Sequence, residues 1–141
     1  MTTTLLGGCH CGNIRVALDT ALALTALPLR ACQCSFCLRH GAVSTSDPEG
    51  RLRVQVAEPD LLLRYRFGLK LTDFLVCRRC GVYVAAVMDG SDGRSIGVLN
   101  VNILDAREPF ARPAEPMRYG NETAEDRVAR RQTSWMPIEM S

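Results

Sequence analysis

Seven cysteines in three tight groups constrain this 141-residue chain more than any other feature. The groups are Cys9-His10-Cys11, Cys32-Gln33-Cys34-Ser35-Phe36-Cys37 and Cys77-Arg78-Arg79-Cys80-Gly81, and no cysteine lies outside them. An odd count rules out complete pairing as internal disulfides. C-x-C and C-x-x-C spacings in a short chain read first as zinc ligands. The count divides as four plus three. Four thiolates close a zinc site and make it structural, whereas three leave a coordination position for water or substrate. Two Zn2+ per chain are therefore expected, one structural and one of catalytic type, the second only partly occupied where a three-ligand site binds weakly.

The length fits one ordinary domain, residues 1–141, with a real but modest core. Hydrophobic residues make up 47%, which argues against disorder. The formal charge of +2, with four phenylalanines, three tyrosines and one tryptophan, gives no basic stripe with interleaved aromatics, so a nucleic-acid partner is not expected. No apolar run approaches a membrane span, and Met1–Gly8 lacks the basic and apolar parts of a signal peptide. A cytoplasmic location, where cysteines stay reduced, is the expectation.

Apolar alternation predicts a mainly β chain. Ile14, Val16 and Leu18 alternate with polar or small residues, as do Leu52, Val54 and Val56 after the turn Asp47-Pro48-Glu49-Gly50. Pro28 limits 27–31 to an edge or a strand start. Pro59–Leu63 suits one helical turn. Arg64–Phe67 and Phe74–Val76 are short strand candidates, Val82–Met88 a strong one, and Ser95–Leu104 the longest. Beyond Asp105, Pro109, Pro113 and Pro116 mark a wandering surface segment. Glu122–Gln132 reads as a short charged helix with Asn121 as N-cap, and Trp135-Met136-Pro137-Ile138 is apolar enough to dock.

Cys77-x-x-Cys80-Gly81 lies between two strand candidates, the layout of a zinc knuckle in which Gly81 lets the backbone turn beneath two thiolates. Cys9-x-Cys11-Gly12, also before a strand, is its natural second pair. A staple between them would contribute much of the folding stability of a small β domain. The remaining cluster, Cys32, Cys34 and Cys37, can place three thiolates on one metal, with the fourth position open or filled by His40. His40 could instead shuttle protons or sit on the surface, and His10 reads as a solvated turn residue. Zinc with three thiolates carries a net charge of −1, which weakens it as a Lewis acid and suits it to a thiol ligand held as thiolate. Arg30, Arg39, Arg78 and Arg79 flank these sites and could bind carboxylates of an acidic thiol or simply balance thiolate charge. Phe36 and Phe74 are candidates for a pocket wall or for core, and Asp73 is a weaker candidate base.

Gly8-Cys9-His10-Cys11-Gly12, Cys32-Gln33-Cys34-Ser35-Phe36-Cys37 and Phe74-Leu75-Val76-Cys77-Arg78-Arg79-Cys80-Gly81, in that order, resemble the glutathione-dependent formaldehyde-activating enzyme family, which includes the centromere protein V-like proteins. Asn100-Val101-Asn102-Ile103-Leu104-Asp105 also looks like the family's late strand. The resemblance covers roughly residues 5–105, leaving 106–141 as a C-terminal extension. It implies a single zinc-stapled β-tent domain, a structural zinc at Cys9, Cys11, Cys77 and Cys80, and a catalytic-type zinc at Cys32, Cys34 and Cys37. The implied activity is that of a carbon–sulfur lyase joining glutathione to formaldehyde, of the S-(hydroxymethyl)glutathione synthase type. The family commonly has arginine directly after the last cysteine of the second cluster. Here Leu38 stands there and Arg39 follows, which makes Arg39 the candidate contact to the thiol cosubstrate.

The expected partner is thus a small-molecule thiol or thioadduct, with a homo-oligomer left open, and the expected catalytic set is Cys32, Cys34, Cys37 and His40. The alternatives are a non-catalytic zinc-binding interaction module and a thiol redox sensor whose three-cysteine site loses metal on oxidation.

Overall fold

The computed structural model describes residues 1–141. The chain is mainly β, with a short helix near its C-terminus. In order come β1 (Thr3–Gly8), β2 (Ile14–Thr20), β3 (Arg30–Cys32), α1 (Ser35–His40), β4 (Ser44–Thr45), β5 (Arg51–Val56), β6 (Leu62–Tyr65), β7 (Asp73–Cys77), β8 (Tyr83–Asp89), β9 (Ser95–Asn100), β10 (Glu115–Met117), α2 (Ala124–Ser134) and β11 (Met136–Met140).

The period-2 patterns build the first limb. Ile14, Val16, Leu18 and Thr20 of β2 are buried, as are Leu52 and Val54 of β5. Their antiparallel register sets Val16 opposite Val54 and Leu18 opposite Leu52, so apolar pairs line one face. β1 adds to the outer edge of β2, and β11 runs parallel to β5 on the other side. The second limb is the antiparallel meander β6-β7-β8-β9. β11 belongs to both limbs: Ile138–Met140 pair with β5, whereas Met136 and Pro137 pair with β9. β4, then β3, then β10 continue from β9 beside it. The limbs lean together over a core that takes Leu5, Val16, Leu18, Leu52, Val54, Leu75, Val87, Leu99, Met136 and Ile138.

β8 is buried from Tyr83 to Met88 because it has a core on each face. Ala85 and Val87 enter the main core, while Tyr83, Ala86 and Met88 face a smaller cluster with Cys37, Val98 and Trp135. That second face, covered by α1 and α2, carries the three-cysteine cluster.

Four expectations change. The long strand expected over Ser95–Leu104 stops at Asn100, and Val101–Ile103 form a 3-10 turn. Asn100 imposes the stop: its side chain accepts from Asn102 N and donates to Tyr83 O. The N-cap of α2 is Thr123 rather than Asn121, its hydroxyl accepting from Asp126 N at 3.1 Å. Pro59–Leu61 form the expected turn, but strand follows at once over Leu62–Tyr65, earlier than the expected Arg64–Phe67. Ser35–His40, which carried no helical expectation, form α1, capped by the Cys34 sulfur at one end and by left-handed Gly41 at the other.

Beyond the 3-10 turn, Leu104 bridges to Gly7 and Asp105 N donates to Leu6 O, which pins β1 just before Cys9. A Cβ at Gly7 would sit 2.2 Å from Ile103 O. Gly7→Ala is therefore expected to destabilise the protein by about 3 kcal/mol, the upper end of ordinary overpacking because the clash is with backbone. A urea midpoint within error of wild type would show that β1 does not need this close approach.

Candidate metal and substrate site

Two turns of the same design bring the first and third cysteine groups together. After β1, Cys9 N donates to Ile14 O and Gly12 N to Cys9 O, and Gly12 takes φ +84. After β7, Cys77 N donates to Val82 O and Gly81 N to Cys77 O, and Gly81 takes φ +79. Both glycines occupy the left-handed region that closes a tight turn at no Cβ cost. The β-bulge at Leu75/Val76 lies just before the second turn. The sulfurs of Cys9, Cys11, Cys77 and Cys80 lie within 4.8 Å of one another and could hold a metal ion. Cys9 to Cys11 is 3.7 Å and Cys11 to Cys77 is 3.6 Å. Ile14 N points at Cys9 Sγ at 3.2 Å. Burial pushes the Cys77 thiol up to about 11. Cys80 is drawn down to about 6 against its burial by the backbone N–H groups of Cys11 and Val82. His10, Arg78 and Arg79 are exposed around this cluster, and Arg79 pairs with Glu58.

The second group forms a separate site. Cys32 ends β3, Cys34 caps α1, and Cys37 lies one turn into it; their sulfurs also fall within 4.8 Å of one another. Cys34 is held far below the ordinary thiol range by hydrogen bonds from the Cys32 and Cys37 thiols, helped by the Cys37 and Phe36 N–H groups. Cys32 and Cys37 are pushed up in turn by their neighbouring thiols. A metal ion would take all three as thiolates and release the remaining protons.

These three cysteines line a cavity of about 360 Å3. The four-cysteine cluster lines none of the four principal cavities. One wall is aromatic: Phe67, Phe74 and Tyr83 line it, and Phe36, which does not reach the cavity, packs behind them with centroids 4.7 to 5.6 Å away. Residues 68–72, Ala86 and Val98 extend it. The opposite part comes from late in the chain: Arg118, Tyr119, Arg127, Arg130, Arg131 and Trp135. Tyr83 keeps its phenol proton because burial, and then the Cys37, Cys32 and Cys34 charges, push its pKa well above the usual value.

The structure does not bring the remaining sequence candidates to the cavity. His40 is exposed, stacks on Phe36 at 4.5 Å and is not among the converging donors. Arg39 is exposed and donates to Ser35 O of its own helix. Asp73 pairs with Arg64 and Arg66. Of the flanking arginines only Arg30 reaches the cavity. The sequence reading missed Tyr83 and the α2 set. A signal for the latter was present: Arg127, Arg130 and Arg131 stand at i, i+3 and i+4, one face of a helix.

Residues 4–119 match the sequence profile of the family described as glutathione-dependent formaldehyde-activating enzyme. A solved crystal structure of a Rhodobacter sphaeroides protein is similar at 27% identity and a TM-score of 0.61, covering 79% of this chain and 99% of that one. No curated protein gives a significant match.

Phe36 supports the aromatic wall from behind, in contact with Phe67, Phe74 and Tyr83. Truncation to Ala should cost about 2–3 kcal/mol, below the full price of a buried Phe because the ring is half-buried. Urea denaturation reads this, and a loss under 0.5 kcal/mol would mean that the rings are not a packed unit.

Proposed function

Because the chain belongs to the glutathione-dependent formaldehyde-activating enzyme family, we propose that it is a zinc-dependent enzyme of carbon–sulfur lyase type acting on thiol adducts of an aldehyde. The observation that carries this reading is the contrast between two cysteine clusters. Four sulfurs converge away from any principal cavity, and three converge at the lining of one. The first arrangement suits a structural ion and the second an ion with an open position. The sulfur separations fit zinc, since a tetrahedron with Zn–S of about 2.3 Å has edges of roughly 3.8 Å, close to the 3.6 and 3.7 Å of the first cluster.

Cys32, Cys34 and Cys37 would hold the zinc ion, which would supply a position that acidifies an incoming thiol, its proton passing to solvent from which Tyr83 is later restored. The cavity walls then do the rest. The aromatic side excludes water from the small aldehyde, and the sulfur adds to the carbonyl carbon. The new bond is C–S; the carbonyl π pair moves to oxygen, which takes a proton and becomes the hydroxyl of the adduct. Tyr83, protonated and making no side-chain hydrogen bond within the protein, is the group in the lining suited to donate that proton. Cleavage of the adduct is the same step reversed. Glutathione and formaldehyde are the pair that the family name suggests.

Elemental analysis of reduced, chelator-free protein should find about two zinc ions per chain, and about one in Cys34→Ser with the fold intact. In cobalt-substituted wild type, added glutathione should strengthen thiolate-to-metal charge-transfer absorption, while S-methylglutathione should not. One zinc in both proteins, or no response to the free thiol, would overturn the reading.

A further inference from the structure

The cavity over the three cysteines is lined by six cationic side chains, Arg30, Lys70, Arg118, Arg127, Arg130 and Arg131, and by no carboxylate. Two are paired from behind with one acid. Arg127 and Arg130 share Glu122 at 3.3 and 2.7 Å, and Arg130 lies 3.5 Å over the Tyr119 ring. Arg131 is different. It is 8% exposed and has no carboxylate partner. Its Nη1 donates to Thr72 Oγ1 and approaches Met88 Sδ, its plane lies 4.3 Å over Trp135, and its buried Nε has no partner. Arg30, half-buried, donates one bond to Ser46 Oγ and likewise pairs with no acid.

Burying a guanidinium without a counter-ion is costly, and polar contacts to neutral groups offset only part of it. Burial, then repulsion from Arg130 and Arg127, pushes Arg131 down to about 10, which leaves it charged at neutral pH. A planar fork of this kind matches a carboxylate in two parallel hydrogen bonds.

We propose that α2 builds an anion subsite in the cavity, with Arg131 as its principal contact and Arg30 as its second, which holds a carboxylate of an acidic thiol ligand. The sulfur end of that ligand rests on the function proposed above; the anion end stands on Arg131 and Arg30. Arg127, Arg130, Arg131 and Trp135 all lie beyond residue 119, where the family match ends. The subsite thus joins Arg30, inside the matched region, to Arg131 of this chain's C-terminal segment. Six cations with one acid behind them suit a ligand carrying more than one carboxylate.

Trp135 is the only tryptophan and lies against Arg131, so its fluorescence reports on the subsite. Three probes are titrated into the zinc-loaded full chain, by fluorescence and by calorimetry: glutathione, S-methylglutathione and glutathione diethyl ester. The diester should bind about tenfold to a hundredfold more weakly than glutathione, the range of one or two charge-assisted hydrogen bonds. Arg131→Gln should abolish this discrimination, and Arg131→Lys should restore part of it, with zinc content unchanged in both. Arg30→Gln, away from the Trp135 stack, should reduce the discrimination if Arg131→Gln fails to fold. Equal affinity for acid and ester in wild type, or an Arg131→Gln protein that melts earlier but still discriminates fully, would overturn the subsite. The two proposals fail separately. If S-methylglutathione binds as tightly as glutathione and both still exceed the ester, the thiol reading falls and the anion subsite stands.

Discussion

Strand β11 divides its hydrogen bonds between two partners, and the rest of the architecture follows from that division. Ile138–Met140 run beside β5 and Met136–Pro137 beside β9, so one five-residue segment ties the limb that starts at the N-terminus to the meander that ends in β9. Each limb alone would expose an apolar face. Leaning together, they bury Val16, Leu52, Leu99 and Met136 in one core. Gly97 permits the junction, since a Cβ there would meet Ala86 O at 2.7 Å and Ile138 at 3.2 Å. The same junction fixes the helix before it. α2 ends one residue short of β11, with Trp135 between them, and so lies over the outer face of β8 and β9 rather than in solvent.

That placement explains why the two cysteine clusters differ although their ligands are of one kind. The four-sulfur cluster joins the end of β1 to the β7–β8 turn, at the edge of the main core, with Cys9 and Cys77 buried. The three-sulfur cluster lies on the other face of β8, where the second core is thin. α1 is six residues long and α2 stands off enough to leave a cavity between them. The fold thus puts the two cysteine clusters on opposite sides of the same buried strand, and only the three-cysteine cluster at the cavity.

Much of this was legible in the sequence, and the limits have physical causes. The alternation in 14–18 and 52–56 identified β2 and β5 because each buries one face only. The cysteine spacing identified both clusters because metal-ligand geometry is local to each turn. The stop at Asn100 was not legible: Val101-Asn102-Ile103-Leu104 keeps an apolar alternation, and the Asn100 side chain, by capping Asn102 N, overrides it. Nor did five residues containing Pro137 look like a central strand. Pro is tolerated there because it lies where β11 leaves one partner for the other. The cavity wall was hidden for a related reason. An arginine-rich helix reads as a solvated face, and only the tertiary position of β11 turns Arg131 inward.

The electrostatics of the cavity give that inward turn a meaning. A zinc ion with three thiolates carries −1, and a thiol arriving as thiolate makes it −2, so binding would become self-limiting in a neutral pocket. Six cations and no carboxylate line the cavity, which opposes such a build-up of negative charge. On the proposed function they would favour a bound thiolate over a thiol and anionic carriers over neutral ones. Glu122 sets how much of this field remains, because it holds Arg127 and Arg130 while leaving Arg131 unpaired. Its own carboxyl is kept below the ordinary range by the Arg130 hydrogen bond first. The scaffold that carries the three cysteines and the C-terminal helix that carries the cationic wall thus line one cavity, and the proposed function draws on both.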